Sequence, residues 1–428
     1  KHKISDSIHL SCVNTNKFKS GTITFSFMMP LCERDYLLAL VLSGIMRRGT
    51  EKYPSLSLIN RRLDELYASS VDVQCVIHGN VLSLNISADM LDGRFAIDGT
   101  DISSEVCRVI AEIIFSPLTC NGLFPQKSVD AEKTITKDAL CAEKNNTKLY
   151  AATRLKELMK RGSQDGFPSL EYLLSNIDTV TVQELTSFYK AKICALPMSV
   201  FYIGSESAVS IGGKILSAFA PYEALSRPAL LPIRAEQACD FLALTEDMPV
   251  NQGKLALGMR TGRILGSRDA HTAVVLNEIF GASPASKLFL NVRERLGLCY
   301  YCSSSYSLLS GNMSVSSGIN VANKDVAIAE ILAQLEEIKR GNISDSELYS
   351  ARRSLEYSYI QIYDSPFSLQ SFYTIRDIAG IDETPDECKK SILSVTKDEI
   401  CELAREIVYD TCFFINGTLG GEEDGNDE

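Results

Sequence analysis

Two stretches of this chain carry the same succession of patterns, and that repetition constrains the fold more than any other feature. From Tyr36 the first half has an apolar helix, then a helix with Leu56, Ile59, Leu63 and Leu66 on one face. Two alternating strands follow, near 71–77 and 81–88, separated by His78-Gly79-Asn80. The second half repeats the order. A helix with Ala273, Leu276, Asn277 and Phe280 on one side and a helix near 285–295 precede strands near 299–307 and 311–320, around Ser310-Gly311-Asn312. A helix over about 325–339, with Ile328, Ile331, Leu332, Leu335 and Ile338 at helical spacing, stops at Gly341, which suits a left-handed cap. Ser344-Asp345-Ser346-Glu347 then reads as a capping box opening another long helix, whose first-half counterpart runs through Val129, Glu132, Ile135 and Leu140. The last echo is Thr181-x-x-Glu184 against Thr396-x-x-Glu399, each starting a helix that leads into an apolar strand, Ser199 to Gly204 and Cys412 to Gly417. Matched pairs in matched order imply duplication. The fold class is therefore α+β: two duplicated domains, each a mainly antiparallel sheet covered by helices. Gly212-Gly213, Pro221, Pro228 and Pro232 accumulate between the halves. The division is 1–220 for the N-terminal domain, 221–419 for the C-terminal domain and 420–428 for a solvated acidic tail.

Composition narrows the function classes. At 428 residues, 45% of them apolar and 23% charged, the chain can bury two substantial cores. A net charge of -11 supplies no basic stripe for phosphates, so nucleic acid is not an expected partner. No apolar run reaches the ~18 residues of a membrane span, and Lys1-His2-Lys3-Ile4 opens no signal peptide, so the expectation is a cytoplasmic protein that does not enter a membrane. Thirteen irregularly spaced cysteines fit reduced thiols rather than a disulfide frame. The one Cys-x-x-Cys, Cys299 to Cys302, alternates as in a strand and has no histidine or second pair nearby, which argues against a redox or metal role. Four histidines, His2, His9, His78 and His271, never fall three or four apart, so a hydrolytic zinc site within the chain is not expected. Phosphate loops, dinucleotide fingerprints and serine-nucleophile elbows are absent from the sequence.

Residues 40–50, Leu-Val-Leu-Ser-Gly-Ile-Met-Arg-Arg-Gly-Thr, resemble the active-site helix of insulinase/pitrilysin-like (inverzincin) zinc peptidases, in which His-x-x-Glu-His leads into Lys-Gly-Thr. Anchored on Arg48-Gly49-Thr50, Leu40 and Gly44 stand where that family has its zinc histidines, and Ser43 where it has the glutamate base. Zinc needs imidazole, thiolate or carboxylate donors, and its water needs a carboxylate to take the proton. Leucine, serine and glycine supply neither. The family's third ligand, a glutamate on the long first-half helix, falls near Asp138 or Ala139, with Glu132 at an accompanying acidic position.

The family's second signature is intact. Arg293-Glu294-Arg295-Leu296-Gly297-Leu298-Cys299-Tyr300 is similar to the Arg-Glu-x-x-Gly-Leu-x-Tyr motif with which members hold substrate, so substrate-binding roles are implied for Arg293 and Tyr300. Short members resemble halves of a clam-shell that pair, one subunit bringing His-x-x-Glu-His and zinc, the other Arg and Tyr. The wording Arg48-Gly49-Thr50-Glu51-Lys52-Tyr53-Pro54 is closest to non-catalytic bacterial members associated with 5-aminopentanol modification of elongation factor P. The resemblance implies a non-catalytic, peptide-binding subunit of a heterodimeric zinc endopeptidase, with no cofactor in this chain and zinc in the partner. The alternative is an inert scaffold of the same fold.

Overall fold

The computed structural model describes residues 1–161, 167–220, 222 and 232–419. The acidic run at 420–428 and the proline-bearing stretch around Pro221 and Pro228 lie outside the described residues. The chain forms two compact units, Lys1–Cys141 with Pro168–Leu231, and Ala142–Phe167 with Pro232–Glu428.

The first unit is built on a sheet of β1 (His2–Lys3), β2 (Ile8–Asn14), β3 (Ser20–Pro30), β4 (Ser70–His78), β5 (Val81–Leu91) and β6 (Met198–Gly204), in the order β1-β2-β6-β3-β5-β4. The second unit has β7 (Leu242–Met248), β8 (Gly253–Arg260), β9 (Cys299–Tyr306), β10 (Asn312–Ile319) and β11 (Val408–Gly417), in the order β7-β11-β8-β10-β9. Apart from the two-residue β1, the orders correspond strand for strand. In each sheet one pair is parallel, β2 with β6 and β7 with β11, and the rest are antiparallel. This is the duplication expected from the sequence, now expressed as topology.

Burial explains why the central strands are such. β3 is buried at nearly every position, and its polar residues find partners across the ladder: Thr24 with Ser87 at 3.0 Å and Thr22 with Asp89 at 2.7 Å. Against the first sheet lie α1 (Glu33–Arg48), α2 (Leu56–Glu65) and α3 (Ile102–Phe115), and α4 (Gln126–Asn145) follows. Glu33 and Asp35 open α1 and Arg47 and Arg48 close it, the charge order that suits the helix dipole. Ser344 forms the expected capping box with Glu347, and Thr396 forms one with Glu399. Thr181 caps the backbone of Glu184 but its box stays half-made, because the Glu184 carboxylate is taken by Arg34 at 2.8 Å.

The division is not a single cut at residue 220: the later boundary falls between Leu231 and Pro232, and one earlier segment changes sides. Residues 142–167 belong with the second unit, although they precede the first unit's last helices. The cause is α5 (Thr147–Met159), whose buried Tyr150, Ala151, Leu155 and Met159 face β8 and β11. Tyr150 donates to Glu246 at 2.7 Å, Arg154 reaches the same carboxylate at 2.9 Å, and buried Arg260 donates to the carbonyl of Met159 at 2.5 Å. Gly258 leaves the necessary room, since a Cβ there would stand 2.6 Å from the Met159 sulfur. Among the described residues, no helix is long and apolar enough to cross a membrane.

Candidate functional site

On α1, the three positions of the degenerate motif have been put to other uses. The Ser43 hydroxyl donates to the Leu40 carbonyl at 2.7 Å, a bond within the helix that turns it away from any ligand. Leu40 is half-buried and Gly44 fully buried. Gly44 is the informative one. A Cβ at that position would lie 1.9 Å from Oε2 of Glu132, so the carboxyl group of α4 occupies the volume that any side chain at 44 would need. Glu132 is buried, and its charge is met by Arg48, whose Nε donates to Oε1 at 2.5 Å. Both residues of that pair come from the segments that carry the resemblance.

Glu132 is the carboxylate that reaches α1, whereas Asp138 and Ala139 are exposed. Asp138 lies six residues on, about 240° around the helix, and Ala139 shares Glu132's face about 10 Å further along, where it offers a methyl group. Leu40, Ser43 and Gly44 carry no zinc donor, and the carboxylate that reaches them, Glu132, is engaged by the Arg48 guanidinium. These residues do not fit a catalytic zinc.

One other grouping has ligand chemistry among the described residues: atoms of His271, Glu383 and Cys388 lie within 4.8 Å of one another. His271 Nε2 and Glu383 are 2.8 Å apart, while buried Arg376 stands 3.2 Å from Glu383 and 2.9 Å from the Cys388 sulfur. The cationic place in this cluster is therefore held by Arg376, which also stacks on Phe372. Burial pushes the Cys388 thiol up to about 12, so it stays protonated. The arrangement is that of a buried ion-pair network that secures the helices Pro366–Ala379 and Pro385–Ser394.

The second motif is a helix–strand corner. The segment Leu288–Arg295 is wound with a wide turn, and Leu296 donates to Asn291 at 3.2 Å. Gly297 then adopts φ 61°, a left-handed conformation that reverses the chain, with its N–H donating to the Arg293 carbonyl at 3.1 Å. That is the physical reason for a glycine in Arg-Glu-x-x-Gly-Leu-x-Tyr. Leu298 packs on the core, Cys299 is buried, and Tyr300 on β9 is 61% exposed. Arg293 sits in the last turn, half-buried, with its guanidinium over the Phe289 ring at 4.7 Å and Glu294 at 3.6 Å, too loose a pairing to commit it. Arg293 closes the helix and Tyr300 is the second residue of β9, on either side of the turn at Gly297. β9 is an edge strand of its sheet, so one side of its backbone is unpaired within the described unit. The corner thus offers a donor fork and a phenol beside an open strand edge, an arrangement suited to an extended peptide.

Known proteins resemble this chain over most of its length. The family description "Peptidase M16 inactive domain" matches residues 179–355. The chain is similar to the probable inactive metalloprotease YmfF of Bacillus subtilis, 25% identical over 411 residues and 95% of each chain. It is also similar to the uncharacterized zinc protease YmxG of Bacillus subtilis, 29% identical over 38% of this chain and 41% of that protein. Among solved structures, a conserved protein from Enterococcus faecalis covers 99% of both chains with a TM-score of 0.88 at 25% identity. A peptidase M16 inactive domain from Pseudomonas fluorescens gives a TM-score of 0.76 at 16% identity, covering 97% of this chain and 98% of that one.

Proposed function

We propose that this chain, whose residues 179–355 match the peptidase M16 inactive domain and which is similar to a probable inactive metalloprotease, is the substrate-binding, non-catalytic subunit of a heterodimeric zinc endopeptidase acting on short or unfolded peptides. The observation that carries the reading is the contrast between the two motifs. At α1 the space is filled by the Glu132–Arg48 pair, and at the β9 corner Arg293 and Tyr300 remain uncommitted. An extended peptide would add to β9 through backbone hydrogen bonds, which accept any sequence. Arg293 would donate its fork to a peptide carbonyl, and Tyr300 would donate its phenolic hydrogen to a carbonyl oxygen near the bond to be cut. A partner carrying His-x-x-Glu-His would supply zinc and its base. The residues of this chain orient the peptide and do no more.

The test mixes the purified chain with an M16 relative that carries His-x-x-Glu-His, encoded beside it, and follows cleavage of unfolded peptides. Tyr300→Phe should lower turnover by ~10²-fold, the scale of losing one oxyanion donor, with an unchanged melting temperature. Arg293→Ala should raise KM more than it lowers kcat. Unaltered kinetics in both variants would remove the grip from the reading and leave an inert scaffold of the same fold.

A further inference from the structure

Strand alternation would send Cys299 and Cys302 to opposite faces, yet the structure puts both inside the same core, 9% and 3% exposed. The register shows why. Cys302 stands opposite Ser317, Tyr301 opposite Gly318, and Cys299 opposite Ile319, so Tyr300 is the extra residue of a β-bulge. Three steps along β9 are thereby set against two along β10. Two steps of strand span about 7 Å, which puts the cysteine Cα atoms near the upper end of the separation a disulfide can bridge. Both side chains thus enter one core from positions two rungs of β10 apart.

We propose that Cys299 and Cys302 form a dithiol that a hydroperoxide closes to a disulfide, and that closure displaces Tyr300. The Cys299 sulfur attacks one peroxide oxygen, the O–O bond breaks, and a sulfenic acid forms as water or alcohol departs. The Cys302 sulfur then attacks the sulfenyl sulfur, the S–S bond forms, and hydroxide leaves with the Cys302 proton as water. Two thiols lose two electrons and the peroxide gains them. The neighbouring Cys302 thiol holds the Cys299 thiol below the ordinary range, with Ser317 and the positive charge of Arg293 acting in the same direction, so Cys299 is the attacking sulfur. The same neighbour, together with burial, raises Cys302, which keeps its proton until the second step. Drawing the two Cα atoms together tightens the bulge, and the bulged residue is Tyr300. The consequence for peptide handling rests on the role given to Tyr300 above.

The sequence provides a clean readout: cleavage after Arg295 and Lys324 gives one tryptic peptide, Leu296 to Lys324, holding these two cysteines and no other. The folded chain, reduced and then exposed to hydrogen peroxide, is alkylated and mapped. The expected product is that peptide two hydrogens lighter and unalkylated, reverting on reduction, and lost in Cys302→Ser. Recovery of both cysteines alkylated while exposed Cys32, Cys120 and Cys141 have been oxidised would overturn the proposal, and so would a sulfinic acid on Cys299 without a link. With the partner present, peroxide should cut peptide turnover in the native chain and leave Cys302→Ser unaffected. A disulfide that forms without changing turnover would overturn the displacement of Tyr300. Insensitivity of turnover to Tyr300→Phe, with the disulfide present, would instead remove the peptide reading and spare the dithiol.

Discussion

The buried cradle at Gly44 and the open corner at Tyr300 show two outcomes for polar groups within one chain. At the cradle, the groups satisfy each other, so that carboxylate, guanidinium and glycine fit with no space for a ligand. At the corner, the donors persist, half-buried or exposed, with only loose partners, and a left-handed glycine holds the geometry. The polar groups of the cradle are paired inside the protein, and those of the corner face outward with little to hold them.

The sharpest way to break this comparison is to put a side chain back at 44. Gly44→His should destabilise by about 3 kcal/mol, because the new Cβ drives Glu132 from Arg48 and leaves a buried charge without its partner. Restoring the histidine should therefore not restore a metal site. Gly44→Ala separates sterics from chemistry: it should cost about 2 kcal/mol in the native chain, yet stabilise by about 1 kcal/mol in a Glu132→Ala background, where only the helix preference for alanine remains. The two substitutions are thus expected to be coupled by about 3 kcal/mol in denaturant titrations. Additive effects would mean that the Glu132 carboxyl does not rest on Gly44.

Next in size is the corner itself, which exists twice. In the second unit Gly297 takes the left-handed position, and in the first unit Tyr67 and Ala68 take it at φ 58° and 54° between α2 and β4. Gly297→Ala should cost about 1–2 kcal/mol, the penalty of a Cβ in that conformation. Ala68→Gly should gain up to about 1 kcal/mol by removing the same penalty, less the chain entropy that glycine adds. Opposite signs from mirror-image substitutions would establish that only the corner at Gly297 carries the residue its turn favours.

Much of the fold was readable in advance, for reasons that particular residues make plain. Periodicity and caps are local, so the strands beginning near 71, 81, 299 and 311 and the helices opening at Ser344 and Thr396 emerged within a few residues of their observed ends. β3 went unread, although its run Thr22 to Met29 is the kind of continuous burial that a central strand shows. Three features lay beyond any local pattern. The amphipathic face of α5 does not say which sheet it covers, and only Arg260 and Glu246 on the second sheet decide it. The match of Glu132 to Gly44 depends on how two helices far apart in sequence cross. The bulge at Tyr300 is set by pairing with Gly318 and Ile319, so Cys299 and Cys302 looked like residues on opposite faces when they share one.

The smallest expected effect separates the two sheets by pH. The β4–β5 turn carries His78, whose imidazole is held below its ordinary pKa by burial, whereas the β9–β10 turn, Ser307-Leu308-Leu309-Ser310-Gly311, has no ionisable side chain. A histidine depressed in the folded state binds its proton more readily in the unfolded chain, so below its unfolded pKa of about 6.5 the unfolded state takes up protons first and stability falls. Above that value the imidazole is neutral in both states and contributes nothing that varies. Between pH of about 7.5 and 5.5, before the carboxylates titrate, hydrogen exchange in β4 and β5 should therefore accelerate at constant intrinsic rate while exchange in β9 and β10 does not. His78→Gln should flatten the response of the first sheet and leave the second as it was. Equal acid sensitivity in both sheets of that variant would assign the effect to groups other than His78.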